Sequence, residues 1–234
     1  MSLRWGYLGA GGIADIIATD FGHAGLKIQA VATRDMARTN AFADQFNIPN
    51  RHPDYASLVA DPEVDIIYIS TVQTLHRDHA LLAIEAGKHV WSEKPMALDR
   101  SGAAQLLEAA KNNGVRLGIA PDTFLGAGIQ TGLNSIREGS IGQPLTALTI
   151  FQTAGPDSWH PDPAFLFAKG AGPLFDMGPY YVTTLVQIFG PATRVTATSS
   201  KSQETRVVGS GPKKGTSFPV EEPTQITALI EFSS

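Results

Sequence analysis

Short aliphatic and β-branched runs alternate with longer helical patterns through the first half of the chain. The run Val64–Ser70 is almost continuously apolar, which is typical of a parallel strand covered on both faces. The strands predicted in this half are Leu3–Gly9, Lys27–Thr33, Val64–Ser70, Lys88–Glu93 and Arg116–Ala120. The helices predicted between them are Ala14–Phe21, Met36–Phe46, Leu75–Ala86 and Ser101–Asn113. This alternation predicts an α/β fold, with a doubly wound parallel sheet of the Rossmann type.

Local signals mark the ends of these helices. Gly87 and Gly114 stand where a glycine in the left-handed conformation ends a helix, and each is followed at once by a predicted strand. Either Asp99 or Ser101 is expected to cap the fourth helix.

The pattern changes near Pro121, where regular alternation stops. Two helices, two glycine-rich loops and three strands are predicted beyond it: helices Ile129–Glu138 and Met177–Phe189, loops Gly155–Gly172 and Gly209–Ser217, and strands Leu145–Thr153, Arg194–Ser200 and Thr224–Phe232. We therefore predict a dinucleotide-binding domain over residues 1–121. Residues 122–234 are expected to form an α+β domain with an open, mainly antiparallel sheet. So few strands indicate that another chain completes the sheet, or that the sequence is part of a longer protein.

Composition narrows the functional class. The 18 Lys and Arg residues against 22 Asp and Glu leave a net charge of −4, which argues against a nucleic-acid partner. The absence of Cys excludes disulfides and thiolate metal sites and fits a reducing compartment. No apolar stretch is long enough to span a bilayer, and no leader pattern is visible, so a cytoplasmic location without membrane contact is expected.

A glycine-rich segment follows the first predicted strand. Residues 9–14 read Gly-Ala-Gly-Gly-Ile-Ala and match the dinucleotide fingerprint, with the right strand before it and helix after it. The first glycine allows the tight turn, the second lets a pyrophosphate approach the backbone, and the small last residue allows helix and strand to pack. The residues predicted to bind the cofactor here are Gly9, Gly11, Gly12, Ile13 and Ala14.

The end of the second strand bears on the choice of cofactor. Thr33 stands where an acidic residue would bind the ribose 2′-hydroxyl of NAD(H), and Arg34 follows it. A guanidinium suits the 2′-phosphate of NADP(H), so NADP(H) is favoured and NAD(H) is the alternative. Asp35 is either a shifted ribose ligand or the cap of the next helix.

Polar or small residues follow every strand of the first half. Because ligands of open α/β sheets bind outside the carboxyl ends of the strands, these residues are predicted to share one site. Cofactor contacts are expected from Ser70, Thr71, Gln73, Glu93 and Lys94. Glu93 either binds ribose or pairs with a neighbour. His76 either touches the cofactor or is structural. It stands three residues before His79, whereas two histidines that bind one metal on a helix face are four residues apart, so no metal site is predicted.

Two longer motifs resemble a known family. Residues 85–95, Glu-Ala-Gly-Lys-His-Val-Trp-Ser-Glu-Lys-Pro, resemble the EAGKHVxxEKP signature of the Gfo/Idh/MocA oxidoreductases, which include dihydrodiol dehydrogenase-like members. Residues 170–180, Gly-Ala-Gly-Pro-Leu-Phe-Asp-Met-Gly-Pro-Tyr, are similar to the family's GGGxLxDxGxH segment. Members of that family are usually longer, so the chain resembles a family member short of its last strands.

The resemblance implies roles for matching residues. Lys94 corresponds to the lysine beside the nicotinamide and the reacting oxygen, where a cation favours an alkoxide. Asp176 corresponds to the acidic residue that orients the substrate or Lys94. Tyr180 replaces the usual histidine, and it either shuttles the hydroxyl proton or only binds substrate. Thr183 is a second departure, since an Asp is common there.

Two more residues are candidates for substrate contact. Asp122 either contacts substrate or caps a helix. His160 lies in the sequence Trp-His-Pro-Asp-Pro over residues 159–163, which either closes over a sugar or forms a rigid turn packed by Trp159. With Lys94, Asp176 and Tyr180, they make up the predicted substrate site.

These patterns predict an enzyme that transfers hydride between a nicotinamide and a carbinol or carbonyl carbon of a sugar, cyclitol or related diol. The alternatives are a non-catalytic sensor of dinucleotide or sugar, and a truncated inactive member of the family. By resemblance, a homodimer or homotetramer joined through the C-terminal sheet is expected.

Overall fold

The computed structural model describes residues 3–233 of the 234-residue chain. The two ends of the predicted domain ranges, residues 1–2 and residue 234, lie outside the described residues. The chain divides into two compact units, the first ending at Ala120 and the second beginning at Pro121. This boundary lies one residue from the one expected from sequence.

The first unit is built on a parallel sheet. Its strands are β1 (Trp5–Leu8), β2 (Ile28–Ala32), β3 (Asn50–His52), β4 (Ile66–Ile69), β5 (His89–Ser92) and β6 (Leu117–Ile119). Its helices are α1 (Gly12–His23), α2 (Met36–Phe46), α3 (Tyr55–Val59), α4 (His76–Glu85) and α5 (Arg100–Asn112). The spatial order is β3-β2-β1-β4-β5-β6 with all neighbours parallel, so the predicted Rossmann sheet is confirmed.

Side chains of the central strands alternate between two apolar cores. In β1, Leu8 joins one core cluster and Tyr7 the other, and in β4 Ile67 and Ile69 face the first while Tyr68 faces the second. All five are fully buried. Successive side chains of a strand point to opposite faces, so a strand with helices on both faces must be apolar at every position. This is the physical cause of the continuous apolar run over residues 66–69.

A capping carboxylate and two glycines mark helix ends in the first unit. The carboxylate of Asp99 accepts a hydrogen bond from the Gly102 N–H at 2.7 Å, so Asp99 rather than Ser101 caps α5. Gly87 and Gly114 have φ values of +74° and +66°. Both adopt the left-handed conformation that was predicted to end the preceding helices.

Strand β3 and helix α3 were not predicted. Asn50 and His52 are polar, and three residues are too few to show an alternating pattern. The strand is held by Asp61, whose Oδ2 lies 2.9 Å from the Asn50 Nδ2 and 2.9 Å from the His52 Nε2. These two contacts, and the hydrogen bond that the Asp61 carboxylate accepts from the Glu63 N–H, lower the pKa of Asp61 against the opposing effect of burial.

The second unit combines helices with short antiparallel ladders. Its helices are α6 (Ala127–Arg137), α7 (Gly172–Asp176) and α8 (Gly178–Phe189). Its strands are β7 (Ala192–Ser200), β8 (Thr205–Val207), β9 (Ser217–Pro219) and β10 (Gln225–Phe232). Strands β7 and β10 pair antiparallel, as do β8 and β9, and Phe167, Val208, Phe218 and Val220 form a small core beside the latter pair.

The prediction of a strand over Leu145–Thr153 was wrong. Within residues 3–233 this segment joins no ladder, and its apolar side chains are exposed, Leu145 at 82% and Leu148 at 85%. A strand needs a neighbour to receive its backbone hydrogen bonds, and β-propensity alone does not supply one.

No helix in the described part of the chain is long and apolar enough to cross a membrane.

Candidate dinucleotide site

The tight turn after β1 is held against the end of β4. Gly9 has a φ of +105°, a conformation that residues with a side chain rarely adopt. A Cβ built at Gly9 would lie 3.0 Å from the Ser70 Oγ and 3.2 Å from the Thr71 Cγ2, so both conformation and space require glycine. The Gly9 N–H also donates to the Ala32 carbonyl of β2 at 2.9 Å. The turn is therefore fixed to both neighbouring strands.

The two following glycines leave open space. A Cβ at Gly11 would meet only the Ser70 carbonyl oxygen, at 3.8 Å, and a Cβ at Gly12 would meet no described atom within 4 Å. Gly11 is the residue before α1, and no side chain of the described residues caps that helix. The first amides of an α-helix lack carbonyl partners within the helix, so those of Gly12, Ile13 and Ala14 are available to an anion.

Ser70 carries a buried hydroxyl beside the glycine turn. The residue is 8% exposed, and its Oγ has no hydrogen-bond partner among the described residues. A buried hydroxyl without a partner is costly unless a ligand or water satisfies it. Open backbone at Gly11, unfilled helix amides and this hydroxyl together fit a bound pyrophosphate.

Three neighbouring residues after β2, Thr33, Arg34 and Asp35, have different surroundings. The Thr33 side chain is buried, where its Oγ1 donates to the Asp35 carbonyl at 2.7 Å and lies 3.0 Å from the Thr39 Oγ1. The Asp35 carboxylate accepts from the Ala37 N–H at 2.9 Å, so Asp35 is the cap of α2. Of the two alternatives for Asp35, the structure selects the cap. Arg34 is exposed and follows directly.

A second arginine, not identified from sequence, reaches the glycine turn. The Arg38 Nε and Nη2 donate to the Ala10 carbonyl at 2.9 and 2.6 Å. Arg34 and Arg38 are four residues apart, but Arg38 lies in the first turn of α2 rather than at a strand end. The sequence signal that could have identified Arg38 is its spacing of four from Arg34, since this spacing brings two side chains to the same side of the start of a helix.

The loop after β4 contributes small polar groups. Thr71 Oγ1 lies 2.9 Å from the Nδ1 of His79, and Gln73 begins a single 3₁₀ turn that leads into α4. Burial, and then the nearby His76, lowers the pKa of His79. The predicted residues Ser70, Thr71 and Gln73 therefore lie together at one strand end.

The loop after β5 holds Lys94 between two anchored neighbours. The Tyr68 hydroxyl donates to the Glu93 carboxylate at 2.8 Å, so Glu93 pairs with a neighbour, as one of its alternatives expected. The bond between Lys94 and Pro95 is cis. His76, 2% exposed, places its Nδ1 2.9 Å from the Pro95 carbonyl oxygen and its Nε2 2.9 Å from the Thr71 carbonyl oxygen. Both ring nitrogens face protein carbonyls, so this geometry does not favour cofactor contact by His76.

These groups share one edge of the sheet. The glycine turn, Arg34, the Ser70–Gln73 loop and Lys94 follow the carboxyl ends of β1, β2, β4 and β5, which are neighbours in a parallel sheet. The strand order reverses between β1 and β4, and the Gly9–Ser70 contact lies at this reversal. Nucleotides bind at such a reversal in open α/β sheets.

The remaining predicted residues belong to the second unit. Asp176 ends α7 and Tyr180 lies in the first turn of α8, four residues further. Asp122 directly precedes the 3₁₀ turn Thr123–Leu125, and its side chain makes no capping hydrogen bond there, so the structure does not support its capping alternative. The His160 Nδ1 accepts from the Asp162 N–H at 3.0 Å, and the ring packs edge-on against Trp159 and Phe165.

Sequence profiles of a known family cover both units. The profile described as "Oxidoreductase family, NAD-binding Rossmann fold" matches residues 3–120, and the profile of the "GFO/IDH/MocA C-terminal domain" matches residues 130–234. The chain belongs to the GFO/IDH/MocA oxidoreductase family. Its first unit is therefore the NAD-binding Rossmann domain of that family, which agrees with the resemblance noted from the two motifs.

Two of the curated relatives are named as enzymes that act on a diol and on a sugar. The trans-1,2-dihydrobenzene-1,2-diol dehydrogenase of Mus musculus is 34% identical over 193 residues, which are 81% of this chain and 57% of the relative. The 1,5-anhydro-D-fructose reductase of Ensifer adhaerens is 35% identical over 145 residues, 62% of this chain and 44% of the relative. The chain thus spans about half the length of these two relatives.

Solved structures show the same fold. An NAD-binding oxidoreductase from Klebsiella pneumoniae matches with a TM-score of 0.82 and 25% identity, over 99% of this chain and 64% of that one. A levoglucosan dehydrogenase in complex with NADH and L-sorbose matches with a TM-score of 0.84 and 22% identity over the same shares.

Proposed function

We propose that the protein binds NADP(H) and catalyses reversible hydride transfer between the nicotinamide and a carbinol carbon of a sugar, cyclitol or related diol. The observation that carries the proposal is the open glycine turn at the strand-order reversal, beside the Ser70 hydroxyl, which has no hydrogen-bond partner among the described residues. The names of the diol and sugar enzymes among its relatives support the substrate class.

The chain's own residues would manage charge and protons in this reaction. A nicotinamide bound at the site would supply the chemistry of accepting or donating the hydride. Lys94 would place a positive charge at the oxygen of the reacting carbon, which stabilises the alkoxide that precedes hydride loss. Tyr180, acting as the phenolate, would take the hydroxyl proton and become the phenol, and Asp176 would hold a substrate hydroxyl by accepting its hydrogen bond. Asp122 and His160 are proposed as further substrate contacts. The roles in the second unit rest on the motif over residues 170–180.

The preference for NADP(H) rests on charges at the end of β2. Among residues 33–38, the only carboxylate is that of Asp35, and it caps α2. Thr33 is neutral and buried. Arg34 and Arg38 are both exposed, and Arg38 is already directed to the glycine turn. Two guanidiniums without a competing carboxylate favour a 2′-phosphate over a 2′-hydroxyl.

Replacing Arg34 by alanine should weaken NADPH binding by about 10-fold or more and leave NADH binding within about twofold, because a charge-assisted hydrogen bond contributes about 1.5–3 kcal/mol. Fluorescence titration with both cofactors measures this. Arg100→Ala, which removes another exposed arginine at the start of α5, is the matched control. Equal weakening of both cofactors, or tighter NADH binding by the unaltered protein, would contradict the proposed preference.

The proposed activity itself predicts substrate-dependent reduction of NADP⁺. Absorbance at the nicotinamide band is followed with a panel of sugars, inositols and dihydrodiols, and with the corresponding carbonyl compounds and NADPH. Turnover with at least one member of the panel is expected. Tight NADPH binding with no turnover across both directions would instead indicate a binding protein without catalysis.

Assembly with a second copy is part of the same proposal. All nine residues of β7 are exposed, and Val195 in β7 and Leu229 in β10 expose apolar side chains at 57% and 67%. An exposed sheet of this kind is normally covered. We therefore keep the prediction of a homodimer or homotetramer through the C-terminal sheet. The cytoplasmic location expected from the sequence is a separate proposal.

A further inference from the structure

The segment that carries Lys94 is anchored one residue away on each side. On one side, the Glu93 carboxylate accepts from the Tyr68 hydroxyl at 2.8 Å. On the other side, the Pro95 carbonyl oxygen lies 2.9 Å from the Nδ1 of His76. Both anchors come from the interior of the first unit, since Tyr68 and His76 are almost fully buried. The backbone position of Lys94 therefore depends on two side chains that are distant in sequence.

The His76 ring also contacts a second loop. Its Nε2 lies 2.9 Å from the Thr71 carbonyl oxygen, at the end of β4. The ring thus lies between the loop after β4 and the loop after β5, and these two strands are neighbours in the sheet.

The chemistry of the two contacts is constrained because a carbonyl oxygen only accepts hydrogen bonds. A contact with Pro95 is therefore a hydrogen bond only when the His76 Nδ1 carries a hydrogen. A neutral ring with its hydrogen on Nε2 would keep the bond to Thr71 and lose the bond to Pro95. Which nitrogen carries the hydrogen decides whether His76 holds the Lys94 loop.

We propose that His76 is a positioning residue, which donates from its Nδ1 to the Pro95 carbonyl and thereby sets the place of the Lys94 ammonium in the reaction. The inference rests on the proposed function for the role of Lys94, and on the geometry alone for the hydrogen bond. His76 acts through the loop, because its two ring nitrogens are directed to backbone oxygens of Thr71 and Pro95 and its side chain is buried.

Two substitutions separate the two contacts. In the His76→Asn variant, the side-chain amide nitrogen lies at about the position of the histidine Nδ1 and retains a donor to Pro95. In the His76→Gln variant, the side-chain amide nitrogen lies at about the position of Nε2 and retains a donor to Thr71. Since misplacement of a reacting group by about 1 Å costs up to about 100-fold in rate, we expect kcat of His76→Gln to fall about 10-fold or more. For His76→Asn we expect kcat within about threefold of the unaltered protein. Both variants should bind NADPH within about twofold, because the glycine turn is untouched.

The measurements are kcat, KM and the NADPH dissociation constant, with thermal unfolding of each variant. His23→Asn, at the exposed end of α1, controls for the loss of a histidine. Equal losses of kcat in the Asn and Gln variants, or losses that follow the fall in Tm, would show that His76 only stabilises the fold and would overturn the proposal.

A correlation spectrum of the full chain labelled with ¹⁵N-histidine tests the hydrogen bond without turnover. The His76 signal is assigned by its absence in His76→Asn, and its Nδ1 is expected to carry a hydrogen. An Nδ1 without hydrogen overturns the proposal even if the enzyme is active. If no substrate turns over, the proposed function fails, while the spectrum still decides whether His76 holds the Pro95 carbonyl.

Discussion

Replacing Lys94 by alanine should lower kcat about 100-fold to 1,000-fold and leave NADPH binding within about twofold, because removal of one group that stabilises a developing oxyanion costs about 2.7–4 kcal/mol. The side chain follows β5 at the edge of the sheet where the glycine turn lies, and the cofactor phosphates are proposed to bind at that turn rather than at Lys94. Steady-state kinetics with a substrate from the panel and a separate NADPH titration measure the two effects.

Two further lysine variants make the Lys94 result specific. Lys94→Arg keeps the charge but changes its shape and position, so partial activity is expected between that of the unaltered protein and that of the alanine variant. Lys111→Ala removes a lysine in the last turn of α5 and should leave kcat unchanged. A fully active Lys94→Ala would remove Lys94 from the mechanism. A large loss of NADPH binding would assign it to cofactor binding instead.

Replacing Gly11 by valine should weaken NADPH and NADH binding by about 100-fold or more, because the added side chain would occupy the space that the pyrophosphate requires. The protein should nevertheless fold. Gly11 has a φ of −90°, which any residue adopts, and a Cβ there would approach only the Ser70 carbonyl oxygen, at 3.8 Å. The loss of glycine before the helix is expected to cost at most about 1 kcal/mol of stability. Titration with both cofactors and thermal unfolding of the apo protein measure the two effects.

Two other glycines serve as controls for opposite reasons. Gly9→Ala should destabilise the fold, since its φ is +105° and its Cβ would lie 3.0 Å from the Ser70 Oγ. Gly22→Ala, in α1 with no described atom within 4 Å of its Cβ, should raise stability by about 0.5–1 kcal/mol and leave binding unchanged. If Gly11→Val bound both cofactors normally, the pyrophosphate would not lie at the glycine turn.

The position of the site follows from the sheet order. Strands β1 and β4 lie side by side, but the chain forms β2, β3 and the three helices α1, α2 and α3 between them. In open α/β sheets, the loops that follow two such strands diverge at the reversal of strand order and leave a crevice where a ligand binds. The Ser70 hydroxyl has no partner among the described residues and lies beside the glycine turn at this reversal, so a ligand is its expected partner.

Several features could be predicted because their causes are local. The buried strands of the first unit are apolar at almost every position, and that pattern alone predicts coverage on both faces. The glycine turn has the required residues in immediate succession, as do the segments over residues 85–95 and 170–180 that resemble the family. The cap at Asp99 follows the same principle, since the donor is three residues away.

Other features were decided by contacts between residues distant in sequence. Arg38 reaches the Ala10 carbonyl across 28 positions, and His76 reaches the Pro95 carbonyl across 19. The sequence around Asp35 allowed two roles, a ribose ligand or a helix cap. Only the backbone geometry, which places its carboxylate at the first amides of α2, distinguishes them. At Leu145–Thr153, the side-chain pattern predicted a strand that lacks a ladder in the described residues.

The amino-acid sequence by itself determined the parallel Rossmann sheet, the glycine turn and the family. Each of these depends on residues that are neighbours in sequence, or on the regular pattern of apolar positions along the chain. Only the tertiary structure decided which side chains are free to meet a ligand. It engages Asp35 and Glu93 in internal hydrogen bonds, directs His76 to two backbone carbonyls and leaves the Ser70 hydroxyl unpartnered among the described residues. The physical reason is that a polar group's availability depends on every donor and acceptor around it, and these come from segments that folding brings together.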